Sequence, residues 1–200
     1  MAARALAKSS LLSSESFPDQ GDWTYEDYRR LPDDGWRYEV LRGALHMAPA
    51  PSLPHQRAVW NFGPILRSFV RARDLGTVLG APADILLPGG LATPVQPDVF
   101  FISKERLGIL RDSHIEGAPD LVLEVLSPSN WLTDRREKFQ IYAEAGVREY
   151  WIADPKIRTV EVFVLRADTY ELLGSFGPSE RARSEVLPGF EPAVDEIFAG

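Results

Sequence analysis

Three carboxylates stand in apolar surroundings. In Leu121-Val122-Leu123-Glu124-Val125-Leu126 the single polar side chain is Glu124, and both faces of the run are apolar, as in a central strand covered on either side. Asp98 has a similar setting in Gln96-Pro97-Asp98-Val99-Phe100-Phe101-Ile102, and Glu39, between Tyr38 and Val40, is a milder third case. A buried carboxylate is costly unless something positive meets it. A divalent cation is one solution. A hard ion such as Mg²⁺ takes oxygen ligands, commonly one or two carboxylates together with substrate phosphate and water. Asp98 and Glu124 on neighbouring strands would supply such a pair, with a main-chain carbonyl beside them. An ion held there polarises a phosphoryl oxygen and lowers the pKa of a bound water. The competing arrangement pairs each acid with an arginine or leaves it at a strand end, in reach of solvent.

Lys138 is the candidate cation. It falls on the helix directly after the Glu124 strand, and helix starts in such sheets face the carboxyl ends of the strands. The chain has four lysines (Lys8, Lys104, Lys138 and Lys156) among 22 Lys and Arg, so a lysine at this point suggests a compact, titratable ammonium. The alternative is an exposed i,i+4 ion pair with Asp134, worth a few tenths of a kcal/mol. Arg57, Arg67, Arg71 and Arg73 share one helical segment, and Arg135-Arg136 lie just before Lys138. These arginines suit phosphate contacts, and a solvated amphipathic face accounts for them equally well.

Other chemistries are excluded by absence. No Gly-x-x-x-x-Gly-Lys-Ser/Thr, Gly-x-Gly-x-x-Gly or Gly-x-Ser-x-Gly motif occurs. His46, His55 and His114 lack zinc-ligand spacing, and with no cysteine there are neither disulfides nor thiolate sites, which fits a reducing cytoplasm. No apolar run approaches a membrane span, so no membrane partner is expected. The net charge of −7 argues mildly against nucleic acid as a partner, but residues 168–200 hold seven of the acids against Arg181 and Arg183.

The elements that must position these residues follow from pattern. Length and composition suit one domain over 21–200 after a polar, Ser-rich, flexible leader at 1–20, with a core over about 24–166 and an acidic C-terminal extension at 167–200. Thr24 and Asp27 form a capping box for a helix over 25–31. Residues 37–41 and 44–47 make a hairpin through Arg42-Gly43. A helix over 55–73 is expected to kink or break at Gly63-Pro64. Strands are expected at 77–87, 95–102, 119–126, 147–153, 159–166 and 170–176, with helices at 103–110 and 133–145, the latter ended by Gly146. Hairpins followed by strand–helix–strand define an α/β class with a mixed sheet flanked by helices and an N-terminal hairpin.

Together these segments resemble a known family. Arg37-Tyr38-Glu39-Val40-Leu41-Arg42-Gly43, His55-Gln56, Gln96-Pro97-Asp98-Val99, and the run from Pro119 through Glu124 to Ser127-Pro128-Ser129 are similar to the Uma-type putative restriction endonuclease family. So are Asp134-x-x-x-Lys138, Tyr142-x-x-Ala145-Gly146-Val147-x-Glu149-Tyr150-Trp151 and Asp154-Pro155. That family is a bacterial branch of the PD-(D/E)xK nuclease superfamily. The resemblance implies a restriction-endonuclease-like core and Mg²⁺-dependent (or Mn²⁺-dependent) hydrolysis of phosphodiester bonds, with DNA as the expected substrate. It implies metal held by Asp98, Glu124 and the Val125 carbonyl, Lys138 steadying charge or positioning water, and Glu39 and His55 as further catalytic-site residues. Gln56 and Arg135 are then candidates for substrate contact, and a homodimer is expected. One departure matters: the superfamily's lysine two residues after the acid is Leu126 here, so Lys138 must reach the same point from the following helix. The rival expectation is a catalytically silent nuclease-fold protein acting as a binding or assembly module.

Overall fold

The apolar runs pair into one six-stranded sheet that carries most of the buried side chains. A computed structural model describes residues 17–127 and 132–200. Its strands are β1 (Arg37–Leu41), β2 (Ala44–Ala48), β3 (Gly76–Gly80), β4 (Ile85–Leu86), β5 (Val99–Ser103), β6 (Ile115–Glu116), β7 (Leu121–Val125), β8 (Glu149–Asp154), β9 (Thr159–Arg166) and β10 (Thr169–Phe176). The α-helices are α1 (Tyr25–Tyr28), α2 (Leu53–Ala72), α3 (Lys138–Ala145) and α4 (Val194–Ile197). The main sheet runs β10-β9-β8-β7-β5-β3; β7 and β8 are parallel and every other neighbouring pair is antiparallel. A parallel pair needs a crossover, and α3 provides it. β1 and β2 form the expected N-terminal hairpin, while β4 and β6 make a short parallel pair.

Strand alternation divides the core in two. Leu121, Leu123 and Val125 of β7 meet Val99 and Phe101 of β5 and the buried stripe Ala58, Phe62, Leu66 and Val70 of α2. Val122 and Leu126 face the other way with Phe100, Ile102 and Ile152, against Ile141 and Tyr142 of α3. Glu124 lies between Val122 and Leu126 and therefore belongs to the α3 face. The acidic stretch beyond residue 166 contributes β10 and α4 and buries Ala182, Leu187, Phe190, Val194 and Ile197 in the α2-side core.

Local signals account for most boundaries. Thr24 and Asp27 make the capping box of α1. The β1–β2 turn places Arg42 and Gly43 at φ +48° and +73°, and a Cβ at Gly43 would lie 2.1 Å from the Gly21 carbonyl oxygen. Gly146 ends α3 at φ +83°.

Three expectations need correction. Helix α2 runs unbroken through Pro64, because Pro64 and the Trp60 carbonyl it leaves unbonded lie on the exposed side while the opposite stripe stays packed. The strand expected over 77–87 is two strands, β3 and β4, separated at Ala81-Pro82. Residues 95–98 precede β5 rather than forming part of it, so Asp98 enters the site from a loop; their apolar character reflects burial under the hairpin, where Val40 N donates to Pro94 O at 2.8 Å. The segment before α3 is a five-residue π turn over Thr133–Glu137, with Tyr150 OH bonded to the Asp134 carbonyl at 3.0 Å. Pro128 and Ser129, and the leader up to residue 16, lie outside the described residues.

Candidate active site

The carboxyl end of β7, the start of α2, the hairpin and the first turn of α3 converge. Antiparallel pairing of β5 with β7 brings the chain before Val99 alongside the end of β7, so the Asp98 carboxylate accepts Val125 N–H at 2.9 Å. Asp98 is 3% exposed. Its Oδ2 also lies 3.0 Å from His55 Nε2, in the first turn of α2, and its Oδ1 accepts from Arg37 of β1 at 3.0 Å. Arg37 also reaches the Gln96 carbonyl.

Lys138 holds the second half of the cluster. Its ammonium is 3.0 Å from Glu124 Oε1 and 2.9 Å from Glu39 Oε2, and 3.5 Å from Asp134 Oδ1. Glu124 Oε1 also accepts Tyr142 O–H at 2.7 Å, and Glu39 Oε1 accepts Gln96 N–H at 2.7 Å. Lys138 is 3% exposed and Asp134 is fully buried, so their i,i+4 relation is an internal contact and not the exposed ion pair offered as the alternative. The lysine reaches the strand acid from the following helix, past Leu126, which packs in the apolar core.

The electrostatics follow from crowding. Burial alone would raise the Asp98 carboxyl, but the His55 hydrogen bond, the Arg37 guanidinium and the Val125 N–H hold it well below the usual carboxylate range. Burial also works against ionised Glu39, yet Lys138, Arg37 and the Gln96 N–H draw it below its ordinary value. Glu124 is raised by burial, with Asp98 and Glu39 adding to the effect and Lys138 opposing it. The difference between the two glutamates has a cause: Glu39 accepts a main-chain N–H and keeps 13% exposure, whereas Glu124 is 1% exposed. Burial pushes the Asp134 carboxyl well above the usual range, and among the described residues no donor bonds either of its oxygens. Lys138 pays for burial with a tendency to lose its proton, but Glu124, Glu39 and Asp134 outweigh that and hold it protonated above its ordinary value.

The donor set fits a hard divalent cation on its chemistry. Among the described residues four buried or nearly buried carboxylates (Glu39, Asp98, Glu124 and Asp134) lie close to Arg37 and Lys138, and carboxylate oxygens beside a main-chain carbonyl are the hard donors that such an ion takes. Among the described residues no group of three or more His, Asp and Glu is arranged to hold a metal ion; the expected set, two carboxylates and the Val125 carbonyl, is smaller than that.

The candidates for substrate contact lie further out. Gln56 is exposed in the first turn of α2. Arg135 pairs with Glu161 at 2.5 Å and lines a groove of about 640 Å³ with Ser52, Leu126, Ser127 and Lys156. The basic face on α2 does not point to the cluster: Arg57 donates to the Gly200 carbonyl, and Arg67 and Arg71 stand ~18 and ~24 Å along the helix axis from His55. Sequence reasoning gave no site role to Arg37, Asp134 or Tyr142. The signals were present: Arg37 shares a strand face with Glu39, and Asp134, Lys138 and Tyr142 follow at successive helical turns.

A mixed sheet of this order, flanked by helices and gathering acids and one lysine at the end of its central strand, defines a restriction-endonuclease-like α/β protein. The sequence matches the Uma2 family, described as "putative restriction endonuclease", over residues 25–195, and the chain belongs to that family. Its fold is similar to the crystal structure of a "putative nuclease belonging to DUF820" from Anabaena variabilis, at 19% identity and a TM-score of 0.72, covering 88% of this chain and 97% of that one. No curated protein matches.

Proposed function

We propose that this chain is a metal-dependent endonuclease that hydrolyses phosphodiester bonds in DNA. The observation that carries the reading is the convergence of Asp98, Glu124, Lys138, Glu39 and His55 from five separate parts of the chain on one buried, acid-rich point. Acids in a core serve stability poorly; acids crowded around one lysine serve charge chemistry.

Asp98, Glu124 and the Val125 carbonyl would hold Mg²⁺ or Mn²⁺, which polarises a phosphoryl oxygen and lowers the pKa of a bound water. The protein's own groups divide the remaining work. Lys138 is held protonated by its three acids, so it serves as a fixed positive charge toward the oxygens that become more negative in the transition state, and not as the base. His55, through Nε2–H, and Arg37 fix both oxygens of Asp98, and Tyr142 fixes Glu124. Glu39 sets the Lys138 ammonium beside Glu124. The Gln56 and Arg135 side chains, at the rim, are proposed to meet the substrate backbone. A homodimer is part of the proposal and is checked by sedimentation velocity.

A panel of single- and double-stranded DNA and RNA, incubated with and without Mg²⁺ or Mn²⁺, tests the reading. Cleavage of DNA only with metal, abolished in Asp98→Asn, supports it. A folded protein that binds no Mn²⁺ at millimolar concentration by calorimetry and cuts nothing favours the silent binding module.

A further inference from the structure

Arg37 also lines a pocket of about 560 Å³ whose lining includes none of the clustered acids and not Lys138. Its walls come from α1, the segment leading into β1, the proline-rich stretch after β2, and Ala81-Pro82. Tyr28, Trp36 and Tyr38 line it, and its inner wall is Arg37 and Gln96. Both tyrosine hydroxyls are tied back, Tyr28 O–H to Asp84 at 3.0 Å and Tyr38 O–H to Asp34 at 2.9 Å. Tyr28 OH also accepts Gln96 Nε2–H at 3.0 Å, so the rings are fixed in place. Trp36 is different: it is 46% exposed and stands at the mouth. A second guanidinium, Arg29, lines the same pocket and makes an exposed 3.7 Å pairing with Glu26. Asp33 lines it too, as its one carboxylate.

We propose that this pocket receives a nucleobase of the substrate strand, next to the phosphodiester that is cut. The inference rests on the nuclease reading and names how that site grips its strand. Three features favour a base over another occupant. Aromatic and proline walls suit a flat ring, which stacks on them whatever its hydrogen-bonding edge. The Arg29 guanidinium, exposed beside the pocket, suits the phosphate next to that base, whereas Arg37 is engaged by Asp98 and the Gln96 carbonyl. The pocket is also next to the acid cluster, since its lining residue Arg37 binds Asp98 and the Gln96 carbonyl, while Gln96 N–H binds Glu39. A base held against Arg37 and Gln96 brings its own phosphate to the edge of that cluster. The volume lies within the range of small-molecule sites and leaves room for one nucleotide.

The test is binding without cleavage. A five-nucleotide single-stranded thymidylate carrying a fluorescent label is titrated with protein in EDTA and followed by anisotropy. Trp36→Leu is expected to weaken binding about 5- to 100-fold, and an oligonucleotide with its central base removed is expected to bind wild type equally weakly. Trp60→Leu is the control, because Trp60 is 75% exposed on α2 and outside the pocket; it is expected to change binding by less than about twofold. Circular dichroism establishes that each variant is folded. Binding by Trp36→Leu within about twofold of wild type, an equal loss in Trp60→Leu, or no binding by wild type up to millimolar protein overturns the proposal. Base-dependent binding through Trp36 in a protein that cuts nothing upholds the subsite and overturns the catalytic reading, whereas cleavage that ignores Trp36 does the reverse.

Discussion

The two ends of the parallel pair β7 and β8 bury the same kind of side chain in opposite ways. At the amino end, Glu149 is fully buried and accepts four hydrogen bonds, from Trp151 Nε1 at 2.7 Å, Ser184 Oγ at 2.6 Å, and the main-chain N–H groups of Glu185 and Val186 at 2.7 and 3.0 Å. Asp120, also fully buried, accepts Ser103 N–H at 2.8 Å and Arg106 at 3.0 Å, with Arg148 at 3.5 Å. Each acid there has its own donors, and the arrangement pins the C-terminal segment and the turn after β5 to the sheet. At the carboxyl end, Glu39, Glu124 and Asp134 share one ammonium, and no donor among the described residues bonds either oxygen of Asp134. Burial of an acid therefore does not by itself mark a site. Like-charge crowding does, because it leaves the fold under electrostatic tension that a bound proton or a positive ligand relieves.

Exchanging glutamate for glutamine at both ends gives the largest contrast. Glu124→Gln is expected to lower cleavage by a thousandfold or more, on the order of what losing a principal charge-stabilising group costs. Its thermal midpoint is expected to stay or rise, since one of the crowded charges is gone. Glu149→Gln is expected to behave in reverse. The amide would set its own N–H groups against four donors, at a cost of about 3 kcal/mol. For a chain of this length that lowers the midpoint by roughly 6–12 °C, with cleavage per folded molecule unchanged. Calorimetric midpoints and a single cleavage assay read both. A stable Glu149→Gln, or a Glu124→Gln that still cuts, erases the distinction between the ends.

Removing the cation is the next step down. Lys138→Met leaves three acids facing one another without the ammonium that they share, with Arg37 as the remaining nearby cation, and a loss of about 3–5 kcal/mol in urea unfolding is expected. Adding Glu124→Gln to it is expected to restore part of that loss, because the two changes act on one contact. At the amino end, Arg106→Met is expected to cost less, about 1–2 kcal/mol, since Asp120 keeps the Ser103 N–H and Arg148. Equal losses at the two ends would mean that Lys138 is an ordinary structural partner.

The sequence displays these two ends unequally. Glu124 declares itself because it interrupts a run that is apolar on both faces. Glu149 follows Arg148 in Val147-Arg148-Glu149-Tyr150-Trp151 and is not distinguished by pattern, since three of its four donors arrive from residues 184–186, more than thirty positions along the chain. The strands β7, β8, β9 and β10, the hairpin and the capping box are legible from alternation and turn residues. The split between β3 and β4 at Ala81-Pro82 is not, because residues 77–80 and 85–87 on either side are both strand-like and read as one run. Asp98 and Glu124 can be picked out as a pair, yet the pairing partner of each depends on tertiary placement: Arg37 comes from the hairpin and His55 from α2. The unbroken course of α2 through Pro64 likewise depends on which side of the helix meets solvent.

Asp134 offers the finest test of the comparison. Its carboxyl is held above the usual range, so the folded state binds a proton there more tightly than the unfolded chain does, and stability falls as pH rises from the unfolded value near ~4 through the raised folded value. Asp98 and Glu39 shift the other way: their contribution is present above their unfolded values of ~4 and is lost only as pH falls below them. Above the unfolded value of ~4 the carboxyls of Asp134 and Glu124, both raised, therefore make stability fall with rising pH. Asp134→Asn keeps the shape and removes the charge. Its thermal midpoint is expected to match wild type near pH 5 and to exceed it at pH 8, with a shallower fall between. A midpoint below wild type at pH 8 would mean that attraction to Lys138 at 3.5 Å outweighs burial for this acid. The carboxyl end would then be built on satisfied pairs, like the amino end, and the tension that we assign to it would be absent.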